Sequence, residues 1–93
     1  MNTWPCLIAH SHHGAIIFDG DTVTLTNEDG VKSFPLEEVT HVDVTGPLPF
    51  LKGFVRLTAA GKLMYVHFRR RDTRRFALIA AAIDHAMYSD GFD

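Results

Sequence analysis

The chain has 93 residues, of which 46% are hydrophobic and 22% are charged, and its formal net charge is -2. A chain of this length forms one domain, and its weak negative charge gives no general attraction to nucleic acid or to an anionic membrane. The single cysteine, Cys6, excludes an internal disulfide and a zinc site made of four cysteines.

Turn signals divide most of the chain into short segments rich in β-branched and aromatic residues, and their spacing predicts consecutive short strands. The clearest is Thr22–Thr26, in which Val23 and Leu25 face one side and three threonines face the other. The segment from Leu36 to Val39 is expected to form a turn or a single helical turn. The predicted strands cover residues 14–18, 22–26, 31–34, 40–45, 54–59 and 62–68.

The apolar period changes near the C-terminal end and predicts one amphipathic helix. Its apolar stripe consists of Phe76, Ile79, Ala80, Ile83, Ala86 and Met87, at spacings of three or four residues. Asp72 or Thr73 is the expected N-cap, and Asp90-Gly91 is the expected end.

These elements predict an α+β domain over residues 1–93, with its core at about residues 12–88. Its strands form an antiparallel bent sheet or partly open barrel of six to seven strands, capped by one C-terminal helix. The connections are too short to hold crossover helices, so the strands pair as an antiparallel meander. The residues predicted to be buried are Phe18, Val23, Leu25, Val42, Val44, Val55, Leu57, Phe76, Ile79 and Ile83.

An ordered set of motifs resembles a bacterial domain family of unknown function with a pleckstrin-homology-like barrel. The motifs are Gly14-Ala15-Ile16-Ile17-Phe18-Asp19-Gly20, then Thr22–Thr26, Phe34-Pro35-Leu36 with Val39, Gly53-Phe54-Val55-Arg56-Leu57, and the aromatic Phe76 at the start of the helix. The resemblance spans residues 10–87. It implies a pleckstrin-homology-like domain that acts as a binding scaffold rather than as an enzyme.

A basic cluster surrounds the predicted start of the helix and is the first candidate site. It consists of Arg69, Arg70, Arg71, Arg74 and Arg75, which are five of the nine basic residues. Arginine binds phosphate through two N–H groups at once, and helix N-termini favour anions. This pattern indicates an anion, phospholipid-headgroup or acidic-partner site; its alternative is a solvated basic rim. The acids Asp19, Asp21, Glu28 and Asp29 are expected to compensate these arginines within the fold or from a neighbouring subunit.

Three histidines, His10, His12 and His13, lie close together near the N-terminus. Residues two apart on a strand share a face, so His10 and His12 are a possible metal-chelating pair. We expect no metal, because no third ligand can be identified and nothing places His41, His67 or His85 nearby. The alternative is a polar lead-in strand. Cys6 falls in a segment that we interpret as irregular, and no nucleophile motif is present.

Large apolar residues in the loop after residue 46 form a candidate interface: Leu48, Phe50 and Leu51. The small size of the domain and its exposed strand edges also favour self-association. We therefore expect a non-catalytic binding or assembly module that acts through protein–protein contacts, as a homo-oligomer or with another protein. The alternative is an anion or phospholipid-headgroup binder that uses the arginines. No cofactor and no sequence-specific nucleic acid is expected.

The two ends of the sequence show no targeting or membrane pattern. Met1 to His13 contains no basic stretch followed by an apolar run of signal length. The longest apolar stretch, Phe76–Ile83, is far too short to span a bilayer. A single cysteine is typical of a reducing compartment, so we expect a cytoplasmic protein.

Overall fold

The computed structural model describes residues 6–46 and 53–89. The strands are β1 Leu7–Ser11, β2 Gly14–Phe18, β3 Thr22–Asn27, β4 Gly30–Pro35, β5 Val39–Thr45, β6 Gly53–Ala59 and β7 Lys62–Phe68. Single 3-10 turns at Leu36–Glu38 and Arg70–Asp72 precede β5 and the helix α1, Thr73–Ser89. The predicted strands and the helix are therefore confirmed within a residue or two. Strand β1 brings the number of strands to seven, the upper end of the predicted six to seven, and it includes His10 of the expected polar lead-in strand but not His12 or His13.

The strands form two antiparallel sheets. The four-stranded sheet has the order β1-β2-β3-β4, and the three-stranded sheet has the order β5-β6-β7. The expected α+β class, antiparallel pairing and C-terminal helix are thus confirmed. The described strands do not form one continuous sheet, and they do not close into a barrel.

Side-chain hydrogen bonds join the two sheets along the edge of β7 that β6 does not cover. The Ser11 hydroxyl donates to the His67 carbonyl oxygen at 2.6 Å, and the Asn27 amide donates to the Tyr65 carbonyl oxygen at 3.0 Å. An open strand edge leaves carbonyl groups without partners. Here the ends of β1 and β3 provide those partners, so β7 is held against the four-stranded sheet without a strand–strand ladder.

The core lies between the two sheets and α1. Its largest fully buried side chains include Phe18, Phe68 and Phe76. The rings of Phe68 and Phe76 are stacked, with 4.8 Å between centroids and 9° between planes, and they tie β7 to the helix. Burying a large apolar side chain contributes about 1.5–3 kcal/mol before the entropy cost, so these contacts dominate the stability of so small a domain.

Eight of the ten residues predicted to be buried are buried: Phe18, Val23, Leu25, Val55, Leu57, Phe76, Ile79 and Ile83. Val42 and Val44 are only half-buried, although they pack against the core. Both belong to β5, an edge strand with a neighbouring strand on one side only, whereas the free edge of the other edge strand, β7, is joined to the four-stranded sheet. The alternation of residues along β5 identified their face correctly, but it carried no information about the position of the strand in the sheet.

The helix begins at Thr73, directly after Asp72, where the N-cap was expected. Its buried stripe includes Phe76, Ile79 and Ile83, which confirms the predicted period. Within the described residues the Thr73 hydroxyl oxygen is buried without a hydrogen-bond partner.

Candidate binding sites

The outward face of the four-stranded sheet carries no Asp, Glu, Lys or Arg. The strand register places ten side chains on the side opposite the buried Ile16, Val23 and Phe34. We call this surface the threonine face; its residues are Ile8, His10, Ala15, Ile17, Thr22, Thr24, Thr26, Val31, Ser33 and Pro35. A sheet face in contact with water usually carries polar and charged residues, so the absence of charge here indicates a surface suited to contact with protein.

Two rows of directly opposed residues make up most of this face. One row runs Ile8, Ile17, Thr24, Ser33, and the other runs His10, Ala15, Thr26, Val31. Ile8 is 57% exposed and Val31 is 68% exposed, so apolar surface lies at both edges. The hydroxyls of Thr24 and Ser33 are 2.9 Å apart and hydrogen-bond to each other. Two polar groups of the threonine face are therefore already hydrogen-bonded to each other.

The outward face of the three-stranded sheet has a different character. We call it the mixed face; its residues are His41, Asp43, Thr45, Phe54, Arg56, Thr58, Leu63, Tyr65 and His67. Arg56 and Asp43 form an ion pair at 2.7 Å, and this hydrogen bond raises the pKa of the guanidinium above its usual value. The rings of Phe54 and Tyr65 meet edge to face at 5.5 Å. Several side chains on this face therefore contact each other across neighbouring strands, through an ion pair and through aromatic rings.

The five arginines of the predicted basic site are all exposed. Arg69 precedes the 3-10 turn that contains Arg70 and Arg71, and Arg74 and Arg75 lie in the first turn of α1. We call these five residues the arginine patch. Within the described residues none of them forms an ion pair with a carboxylate.

The four acids expected to compensate the arginine patch do not pair with it inside the fold. Glu28 lies 3.7 Å from the Nδ1 atom of His13 instead. Asp19 accepts hydrogen bonds from the backbone N–H groups of Asp21 at 2.9 Å and Thr22 at 2.8 Å. These bonds favour the ionised form and lower the pKa of the Asp19 carboxyl, with the bond from Asp21 as the largest cause. Asp19 thus shapes the turn between β2 and β3.

The histidine cluster is split between two environments. His10 lies on β1, whereas His12 and His13 lie in the turn to β2, so His10 and His12 are not two positions of one strand, as the metal hypothesis assumed. His10 and His12 instead line a cleft of about 320 Å³ together with Ser11, Arg71 and Asp72. The structure thus joins the histidine cluster to the arginine patch. No signal in the sequence relates these positions, because the contact depends on how the end of β1 meets the turn before α1.

His13 faces a second cleft of about 330 Å³. The His13 and His67 rings are 6.4 Å apart, edge to face, and both residues line this cleft with Glu28 and Tyr65. No pattern in the sequence places His67 near the N-terminal histidines, yet the hydrogen bond from the Ser11 hydroxyl to the His67 carbonyl oxygen holds the two segments together. Among the residues that the structure describes, no group of three or more His, Cys, Asp or Glu is arranged to hold a metal ion.

Three predicted interface residues, Leu48, Phe50 and Leu51, lie outside the described residues. Cys6 is exposed and directly precedes β1. In residues 6–46 and 53–89, no helix is both long enough and apolar enough to cross a bilayer.

Comparisons with known proteins found no matching family model, no matching curated protein and no matching solved structure.

Proposed function

We propose that this chain is a non-catalytic binding or assembly module that acts through protein–protein contacts, and that its first partner is a second copy of itself. The observation that carries this proposal is the threonine face, ten outward residues without an acidic or strongly basic side chain. We further propose that the scaffold is a variant of the pleckstrin-homology-like fold. The support for this is the succession of four-stranded sheet, three-stranded sheet and C-terminal helix, together with the sequence motifs.

The chemistry of the threonine face favours a copy of the same face as its occupant. A partner that brought charged side chains would leave them without counter-charges on this surface, which costs free energy on burial. A second threonine face brings no Asp, Glu, Lys or Arg. Its Thr24 and Ser33 hydroxyls already hydrogen-bond to each other, so burying them requires fewer new partners. A twofold axis would place two identical sheets face to face, about 10 Å apart, as in other sheet-on-sheet packings.

The size of the face limits the strength of such a dimer. Strands about 4.8 Å apart with a rise of about 3.3 Å per residue make a four-stranded face about 20 Å by 20 Å. Two such faces cover about 800 Å² together, which is just below the limit of about 1,000 Å² for a specific interface. We therefore expect reversible, concentration-dependent dimerisation.

Sedimentation equilibrium over a range of protein concentration tests the proposal. We expect the mass to rise from the monomer value towards twice that value, and the Ile8→Lys and Val31→Lys variants to stay monomeric because each adds a charge to the buried face. Leu78→Lys is the matched control, since Leu78 is 64% exposed on α1 and lies away from the face. A mass that stays at the monomer value at all concentrations would contradict the proposal. An equal loss of dimer in Leu78→Lys would also count against it.

A second candidate function is binding of an anion or phospholipid headgroup through the arginine patch. The observation in its favour is that all five arginines are exposed and, within the described residues, none is paired with a carboxylate. Five exposed guanidinium groups that form no ion pair among the described residues concentrate positive potential in an otherwise slightly acidic chain. Co-sedimentation with vesicles that contain phosphatidic acid tests it: binding should weaken as salt rises and should be lost in the Arg70→Gln, Arg74→Gln double variant. Binding unaffected by both changes would reject it.

A further inference from the structure

The cleft between the β1–β2 turn and the turn before α1 combines two side-chain types that bind phosphate. Its lining includes Arg71 from the turn before α1, and His10 and His12 from the end of β1 and the turn that follows it. A guanidinium group can donate two parallel hydrogen bonds to a tetrahedral anion, and each protonated imidazole adds a further charged donor. The cleft volume of about 320 Å³ is at the small end of the range for ligand sites. This volume holds a phosphate group together with part of the molecule that carries it.

The charge of this cleft depends on its histidines. Asp72 faces it beside Arg71, so with neutral histidines the lining charges cancel. With both histidines protonated, the lining of His10, His12, Arg71 and Asp72 carries a net charge of +2. The Ser11 hydroxyl, which also lines the cleft, is already engaged with the His67 carbonyl oxygen.

The remaining titratable groups of this turn lie on its other side. His13 faces Glu28 and His67 in the second cleft. On the helix side, Arg69 and Arg70 precede Arg71 of the cleft in sequence, and both are exposed. Neither group of residues reverses the charge change that protonation of His10 and His12 produces.

We propose that the cleft formed by His10, His12 and Arg71 is the place where the arginine patch holds a phosphate-bearing anion, and that acidification strengthens this binding. This inference rests on the second candidate function, anion binding by the arginine patch, and adds its location and its control by pH. Histidine is the side chain that changes charge between about pH 8 and pH 5. The site is therefore weak when the histidines are neutral and strong when they are protonated.

A titration followed by backbone amide NMR tests this inference, with sulfate as the first probe. Sulfate is tetrahedral and keeps its double negative charge over the whole range, so a change in affinity with pH reports on the protein alone. Between about pH 7.5 and about pH 5.5 we expect the affinity to rise about tenfold or more, because two positive charges are gained beside the anion. The largest shifts should fall on residues 10–12 and 71–73.

Matched variants distinguish sulfate binding in the cleft from sulfate binding elsewhere on the arginine patch. The His10→Gln, His12→Gln double variant should bind sulfate weakly at both pH values, and Arg71→Gln should bind about tenfold more weakly than the native chain. Lys62→Gln makes the same charge change at the start of β7, away from the cleft, and should alter the affinity less than twofold. All four positions are exposed, and circular dichroism should confirm that each variant keeps the fold.

The outcomes distinguish the two proposals. Sulfate binding that is lost in Arg70→Gln, Arg74→Gln but is unchanged by pH and by the histidine double variant would overturn the cleft and leave the arginine patch standing. No binding of sulfate, inorganic phosphate or phosphatidic acid vesicles at about pH 5.5 would overturn both. If the histidine double variant weakens binding of phosphate and of vesicles alike, the site recognises the phosphate group itself. If it weakens only vesicle binding, the cleft recognises a lipid headgroup.

Discussion

The two sheets of this domain hold their strands in register by different means. On the mixed face, the Arg56–Asp43 ion pair and the edge-to-face rings of Phe54 and Tyr65 link neighbouring strands. On the threonine face, the Thr24–Ser33 pair makes the only side-chain hydrogen bond between strands among the described residues. Cross-strand pairs of charges or aromatic rings favour one register over its neighbours. The four-stranded sheet therefore depends more on its buried face and on its turns.

This difference indicates that side chains of the threonine face contribute little to the strand register of their sheet. We expect the residues of this face to tolerate substitution without loss of register as long as the turns and the core remain. The threonine face is therefore available for binding, whereas several side chains of the mixed face are already in contact with each other within the sheet. Three pairs of substitutions test this comparison, from the largest expected effect to the smallest.

The first test concerns the two sides of the three-stranded sheet. Phe68→Ala removes a fully buried ring that stacks on Phe76, and we expect it to lower the free energy of unfolding by about 3–5 kcal/mol. Phe54→Ala, the same change on the mixed face, should cost about 1–2 kcal/mol, because Phe54 is only half-buried against Tyr65. Urea denaturation measures both. Equal losses would show that the mixed face contributes as much as the core.

The second test concerns a turn of the four-stranded sheet. Gly14 has a φ of +154°, and a Cβ atom there would collide with the carbonyl group of Thr26. We expect Gly14→Ala to cost about 2–4 kcal/mol through backbone strain and displacement of β3.

Gly30→Ala is its matched control. Gly30 also has a positive φ, +124°, but a Cβ atom there meets no neighbour within 4 Å. Only the backbone strain remains, so we expect a loss of about 1–2 kcal/mol. If the two variants unfold at the same urea concentration, the close approach of β2 to β3 is unimportant for the sheet.

The third test uses the turn between β2 and β3 and its pH dependence. Hydrogen bonds from the Asp21 and Thr22 N–H groups lower the pKa of Asp19 in the folded state. The ionised carboxyl therefore stabilises the fold at pH values above its ordinary pKa of 3.8. This contribution is lost as the pH falls through the lower pKa of the folded state. Asp19→Ala should shift the urea midpoint downward at neutral pH, with the shift disappearing in acid.

Asp21→Ala serves as the control for that measurement. Asp21 is an exposed neighbour in the same turn, and within the described residues its side chain makes no hydrogen bond. Its removal should change the urea midpoint less than removal of Asp19 at neutral pH. A shift in Asp19→Ala that stays constant from neutral pH to acid would mean that the side chain acts without its charge.

The candidate sites show where the sequence stopped being informative. It identified the arginines and the histidines as two separate clusters, because the members of each cluster are close together in the sequence. It could not join them, because His12 and Arg71 are far apart in the chain and meet only where the β1–β2 turn lies against the turn before α1. The threonine face could be predicted only in part from the sequence. The alternation of Thr22–Thr26 predicted the outward threonines of one strand, but the extent of the face is known only from the pairing of four strands.

What the sequence by itself determined is the local structure and the buried side of each element. Turn residues, period-2 alternation and the helical stripe act over a few residues, so they set the strands 14–18 and 62–68 and the face of α1 that carries Phe76, Ile79 and Ile83. Only the tertiary structure decided that the strands divide into two sheets, that β5 is an edge with half-buried Val42 and Val44, and that β7 is held by Ser11 and Asn27. The physical reason is that these features depend on contacts between segments distant in the chain, whose free energy no local pattern records.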